Sequence, residues 1–410
     1  MRLFLFAALA LTAQPPVVFV HGNGDDAAKW MSVVWLFESN GYPTEKLHAI
    51  RFTNPSARLN DEKYEPHRSS TTDQAAELAA AVTRILIETK TNKVALIGSS
   101  RGGNTIRNYI KNGGGAATVS HAILAGTPNH GVFATDTNAN NEFNGKSAFL
   151  AQLNEGDETV PGVRYMTTLS DTLDKYAQPN GTGYNSPELK GADNVVLPAL
   201  DHREVAFHRE AFRAMFKFIT GNEPKTLQPT PEKAPQISGL VTGFAGGAAT
   251  NLPEPGVHLK VYPLDPKTAQ REGPAILEIT TKTDGKWGPL EITPDRNYEF
   301  ELEKDSSVIR YFRSPFPRSS AIVNLRHRSI STTSSNTLAA RPQGYWSNGR
   351  DPLTFNKEPV PNIPAGVPIA DTVPLKITTG GQLDLRGERI AIRPASPDSK
   401  ELHIADFNWD

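Results

Sequence analysis

A serine with glycine two places away on either side, Gly98-Ser99-Ser100-Arg101-Gly102, follows an apolar run from Val94 to Ile97 and leads into a helical pattern from Asn104 to Ile110. A hydroxyl at the tip of a tight strand-to-helix turn sits on strained backbone, and a side chain two residues either way would strike the neighbouring strand or helix. Ser100 has glycine at both of those places, whereas Ser99 has Ile97 and Arg101. The spacing selects Ser100 as a nucleophile. A hydroxyl needs a base within hydrogen-bond reach, and the base needs a carboxylate that fixes its tautomer. Two preorganised N–H groups must hold the oxyanion. The chemistry of such a set is acyl transfer from an ester through a covalent intermediate. It needs no metal and no cofactor.

The elements around this turn alternate. Val17–Val20 reads as a short buried strand. Asp25 to Asn40 is helical in pattern, with Trp30, Val33, Val34 and Phe37 at helical spacing. His48 to Thr53 reads as a second strand. Thr71-Thr72-Asp73-Gln74 resembles a capping box opening a helix, with Leu78, Val82, Ile85 and Leu86 on one face. After the turn come strands at Ser120 to Ala125, Arg164 to Leu169 and Asn194 to Leu197. A last helix carries Phe212, Met215, Phe216 and Ile219 and stops at Gly221. Strands and helices in alternation predict an α/β class: a mostly parallel sheet covered by helices, with ligands beyond the C-terminal strand ends.

Residues 14–221 are read as this catalytic domain and 222–236, with four prolines, as a linker. From 237 to 410 the texture changes to short alternating runs, such as Tyr298 to Leu302. That predicts an all-β region, sandwich or barrel. A polar, proline-rich stretch at 326–368 is read as a loop dividing it into two subdomains. The net charge of −1 over 410 residues excludes nucleic acid as an expected partner, and the absence of Cys excludes disulfides and thiol chemistry. Met1-Arg2 followed by Leu3 to Leu11 reads as a secretory signal over 1–13, too short to span a bilayer; a secreted or periplasmic location is expected, with no stable membrane span.

A strand, Gly-x-Ser-x-Gly and a helix in succession resemble the nucleophile elbow of the α/β-hydrolases. Pro16 to Gly22, Phe37 to Pro43 and the elbow itself resemble bacterial and archaeal lipases. His202 to Gly221, with Tyr298 to Asp305 and Tyr311 to Phe316, resembles the archaeal two-domain lipase with a C-terminal β domain. Such enzymes present Ser, Asp and His in that chain order. His202, between the last strand and the last helix, is then the expected base. His208 is its rival but begins the helix. Asp171 and Asp174 both follow the strand at Arg164, and position alone does not choose. The resemblance of Thr167 to Pro179 to the acid loop of lipase B-type enzymes, ending in Gln178-Pro179, assigns Asp174. It also implies oxyanion donors on the backbone of Arg101 and of the loop after the first strand, most simply Asn23. His21 in that loop is read as a brace.

Two departures stand out. Ser99 and Arg101 replace the His and Met common in such lipases; Arg101 either sets a cation beside the nucleophile or turns away to pair with a surface acid. The stretch between Thr53 and Thr71 is too short for a bulky lid, which leaves 131–162 as the candidate cover. Asp136 to Asn140 within it is read as a solvated loop and His130 as structural. The expected protein is an exported serine hydrolase of carboxylic esters, a lipase or esterase acting on an ester or lipid. The alternatives are a polyester depolymerase whose β region binds polymer, and an inactive hydrolase fold that only binds.

Overall fold

The computed structural model describes residues 14–177, 186–330, 336–397 and 399–408. The expected signal at 1–13 and the Gln178-Pro179 pair lie outside the described residues. The chain divides into two units, 1–228 and 229–410.

In the first unit the strands are β1 (Val17–Val20), β2 (Leu47–Ala49), β3 (Val94–Ser99), β4 (Val119–Ala125), β5 (Arg164–Ser170) and β6 (Asp193–Leu197). They form one parallel sheet in the order β2-β1-β3-β4-β5-β6. The helices are α1 (Met31–Ser39), α2 (Thr71–Thr89), α3 (Arg101–Asn112), α4 (Ala148–Asn154), α5 (Glu204–Phe207) and α6 (Arg209–Thr220). Strand alternation sends side chains to two faces. Val17, Phe19, Ala95 and Ile97 join the apolar stripe of α1 and α6, including Phe37, Phe212 and Phe216. Val18, Val20, Val94 and Leu96 join Leu78, Val82 and Ile85 of α2 and Ile106 and Ile110 of α3. Burying each such side chain stabilises the unit by about 1.5–3 kcal/mol. Both faces are thereby covered, which is why the strands read as continuous apolar runs.

Two differences from the sequence reading have a clear local cause. The second strand is Leu47–Ala49, not His48 to Thr53. Ile50 N–H still donates to Phe19 O, but Phe52 N–H donates to the ring of His21, so the ladder ends there. The capping box of α2 is one residue earlier than expected: Asp73 N–H donates to Ser70 Oγ at 3.1 Å and Ser70 N–H donates to Asp73 Oδ2 at 2.8 Å. The carboxylate at the third helical position decides the register.

In the second unit a seven-stranded sheet runs β10 (Leu277–Thr280), β9 (His258–Pro263), β12 (Tyr298–Lys304), β13 (Ser307–Arg313), β21 (Glu401–Asp406), β15 (Thr337–Ala340), β18 (Thr372–Pro374). A four-stranded sheet joins β11 (Lys286–Glu291), β7 (Gln236–Ala245), β14 (Leu325–Arg326) and β8 (Ala248–Pro253); another joins β17 (Glu358–Pro359), β16 (Thr354–Phe355), β19 (Gly381–Leu385) and β20 (Glu388–Ile392). Pairing is mixed: β21 is parallel to β13 and β15, while β12 is antiparallel to β9 and β13. Strands from both sides of 326–368, and β15 from within it, share the large sheet.

Candidate active site

Ser100 sits at φ 52° and ψ −121°, directly between β3 and α3. The glycines make this turn possible. A Cβ on Gly98 would lie 2.7 Å from Gly102 C and Ile106 Cδ1, and one on Gly102 would lie 2.6 Å from His21 O at the end of β1. Gly103 is tighter still, 1.9 Å from Thr127 Oγ1. Gly103→Ala therefore forces helix and loop apart at a cost of about 1–3 kcal/mol. The expected result is a melting temperature lower by several degrees; unchanged melting would refute this packing account. Ser99 lies within β3, 3% exposed.

Three loops after strand ends bring the expected triad together. Ser100 Oγ–H donates to His202 Nε2 at 3.0 Å, and His202 Nδ1–H donates to Asp174 Oδ2 at 2.8 Å. Asp174 is fully buried. Its Oδ1 accepts from Tyr176 N–H at 2.7 Å and Ala177 N–H at 3.0 Å, so donors fix both oxygens. The Tyr176 ring meets the His202 ring edge-on, with centroids 4.8 Å apart. Asp171 does different work. Its Oδ1 accepts from Thr172 N–H and, at 3.2 Å, from Ala199 N–H, where the backbone turns at φ 62°. It shapes the loop that carries His202 and does not touch the imidazole ring by any hydrogen bond described.

A feature the sequence reading passed over holds His202 from below. Asp201 Oδ1 accepts from Arg203 N–H and Glu204 N–H, and Asp201 N–H donates to Glu204 Oε2. This is a capping box around the base, and Asp-x-x-Glu at 201–204 was its legible signal. Arg203 also reaches back to Asp25 at 3.4 Å, tying the base loop to the loop after β1. Burial alone would raise the Asp25 carboxyl, but Arg203 and Lys29 beside it outweigh that and hold it below its ordinary value. His208 caps α6, accepting from Glu210 N–H at 3.2 Å.

In the loop after β1, Gly24 N–H donates to Pro55 O and Asp25 N–H to Gly22 O. For Gly22 N–H and Asn23 N–H no backbone acceptor occurs among the described residues. Asn23 Oδ1 accepts from Ala57 N–H at 2.8 Å. Arg101 N–H opens α3 and is among the amides that a helix leaves without internal acceptors. His21 is buried; its Nδ1–H donates to Gly22 O at 2.9 Å and its Nε2 accepts from Phe52 N–H, and burial lowers its pKa. Both nitrogens are engaged in bracing the loop.

The Arg101 side chain turns away from Ser100. It is 1% exposed and pairs with Glu142 at 2.6 Å. The partner is a buried acid, not a surface one. In the same 131–162 stretch, Asp136 pairs with Lys146 in solvent, and the buried Asn144 organises the loop by accepting from Thr135 N–H and Lys146 N–H and donating to Thr135 O, Thr137 O and Asn138 O. His130 Nδ1–H donates to Ser186 O and its Nε2–H to Glu158 Oε1, and the hydrogen bond to Glu158 raises its pKa. No cluster of His, Asp and Glu able to hold a metal occurs among the described residues, and no helix among them is long and apolar enough to cross a membrane.

With this geometry in view, residues 16–177 match the family model for palmitoyl protein thioesterase and residues 234–330 match the model for a lipase C-terminal domain. Comparison with curated proteins gives no match. Among solved structures, Aspergillus fumigatus lipase B is similar at 17% identity and TM-score 0.41, over 52% of this chain and 54% of its own. The propeptide form of Bacillus licheniformis lipase BlEst2 is similar at 16% identity and TM-score 0.37, over 62% of this chain and 58% of its own. The esterase RhEst1 from Rhodococcus sp. is similar at 14% identity and TM-score 0.35, over 52% and 92%. The chain thus spans little more than half the length of the first two. One family match falls in each unit: the first unit has an α/β-hydrolase fold with a likeness to the palmitoyl protein thioesterase model, and the second a likeness to the lipase C-terminal domain model.

Proposed function

We propose that the protein is an exported serine hydrolase of carboxylic esters that works through an acyl-enzyme. The observation that carries this reading is the continuous hydrogen-bonded line from Ser100 through His202 to the buried Asp174. In the reaction Ser100 Oγ attacks the ester carbonyl carbon while its proton passes to His202 Nε2. Asp174 holds the ring so that Nε2 is the free acceptor, and its charge favours the imidazolium that forms. The Asn23 and Arg101 N–H groups hold the tetrahedral oxyanion. Collapse breaks the bond to the alcohol, which leaves with the proton from His202. Water then attacks the acyl-enzyme by the same route and frees the acid.

A thioester is the second reading, favoured by the palmitoyl protein thioesterase match over 16–177. The same attack serves both, because the leaving group differs while the oxyanion does not. Fluorophosphonate labelling at Ser100, followed by paired assays of p-nitrophenyl esters and acyl-thioester substrates of equal chain length, tests both. Labelling with turnover of the oxygen esters is expected. Turnover of thioesters alone would replace the ester reading, and no labelling would leave the inactive, binding-only protein.

A further inference from the structure

Resting on the hydrolase reading above, we infer that the Arg101 guanidinium and its counter-ion Glu142 set the spacing of the two oxyanion donors, so that Glu142 is a positioning residue for the reaction. One guanidinium gathers four acceptors. It donates to Pro55 O at 3.1 Å, Ser69 Oγ at 2.9 Å and Ser69 O at 2.8 Å, and it pairs with Glu142 Oε1 at 2.6 Å. Pro55 O also accepts from Gly24 N–H at 3.1 Å, and Ala57 N–H donates to Asn23 Oδ1 at 2.8 Å. A single carbonyl therefore separates the Arg101 side chain from the loop that carries the other donor. The backbone of Arg101 is pinned by the elbow, so any shift of its side chain or of the 55–57 segment changes the distance between the two N–H groups.

Glu142 makes this arrangement tenable. A buried guanidinium without a partner charge is costly. Glu142 is 4% exposed, and burial pushes its carboxyl up while Arg101 opposes the rise. Its segment is fastened to the same loop. Asp61 N–H donates to Asn140 O at 2.8 Å and Asn141 Nδ2 donates to Leu59 O at 3.0 Å. The 140–142 strip is thus fastened to the 59–61 segment while its Glu142 holds the Arg101 side chain. Oxyanion donors act only within about 2.7–3.1 Å of the charge that develops, and losing one costs about 10²–10³ in kcat. A misplaced pair loses part of that.

The test uses the full chain and Glu142→Gln, which keeps the volume and removes the charge. Active sites are counted by fluorophosphonate titration, so that unfolded protein does not count. Expected are a kcat per titrated site lower by about 10–100-fold, a fraction of the loss of a whole donor, an unchanged KM for a short soluble ester, and weaker inhibition by a trifluoromethyl ketone, whose adduct carries the oxyanion. A merely structural role would lower the melting temperature and the number of sites, leaving kcat per site alone, and that result overturns the inference. If Glu142→Gln does not fold, Ser69→Ala decides. It removes one acceptor from Arg101, and its kcat per site must fall at constant KM; an unchanged kcat overturns the inference equally. Failure of the wild type to label at all would instead sink the hydrolase reading itself.

Discussion

Ser100→Ala removes ester hydrolysis almost entirely, a loss on the order of 10⁶ in kcat or about 8 kcal/mol of transition-state stabilisation, while the melting temperature holds. The Oγ is the atom that forms the acyl bond, and its only described hydrogen bond is the one to His202. The backbone strain at Ser100 is set by the glycines around it and persists with alanine. Ser99→Ala keeps most activity, because Ser99 lies inside β3 and its hydroxyl does not join the line to His202. Both variants, assayed on one p-nitrophenyl ester beside a melting curve, decide the matter. A dead Ser99→Ala with an active Ser100→Ala would move the nucleophile by one residue.

Asp174→Asn lowers kcat by up to about 10⁴, roughly 5 kcal/mol, and melting falls by a few degrees because the bonds from Tyr176 and Ala177 N–H weaken. The asparagine amide no longer specifies the ring tautomer that leaves Nε2 free, and it brings no charge to the imidazolium. Asp171→Asn differs in its effect on rate. Its carboxylate accepts from Thr172 and Ala199 N–H, so substitution weakens hydrogen bonds to a charged group, each worth about 1.5–3 kcal/mol. Melting falls by a few degrees and kcat stays within an order of magnitude. The pair is informative because the two carboxylates leave the same strand end. Two active variants would require an acid from another loop.

The nucleophile and the sheet around it were legible because both rest on local rules. Glycine spacing marks the elbow, and alternation of apolar runs marks a doubly covered sheet. His202 was legible from chain order once the elbow was recognised. Asp174 was not fixed by position; its choice over Asp171 came from a resemblance, and what distinguishes them in space is that Asp174 turns both oxygens inward while Asp171 faces the Ala199 turn. Arg101 could be read as a cation but not aimed, since its partners come from two distant loops. Glu142 carried no local signal at all. It looks like any acid in a polar stretch, and only the fold brings it against the elbow.

The order of the strands gives the site an uneven mechanical footing. β3, which leads into Ser100, has neighbours on both sides, whereas among the described residues β6 is an edge strand paired with β5 alone, and its Val196 is 50% exposed. His202 follows that edge strand, and the Asp201 capping box and the buried Val205 and Phe207 fasten it from its other side. Regions with few buried contacts open locally at lower free energy than the centre of a sheet. Detachment of β6 would release one of the two ends of the loop that carries His202 while the inner strands stayed paired. Under the proposed mechanism, loss of ester hydrolysis on heating is expected to precede collapse of the sheet that bears Ser100, as an activity assay beside a far-ultraviolet circular dichroism melt would show.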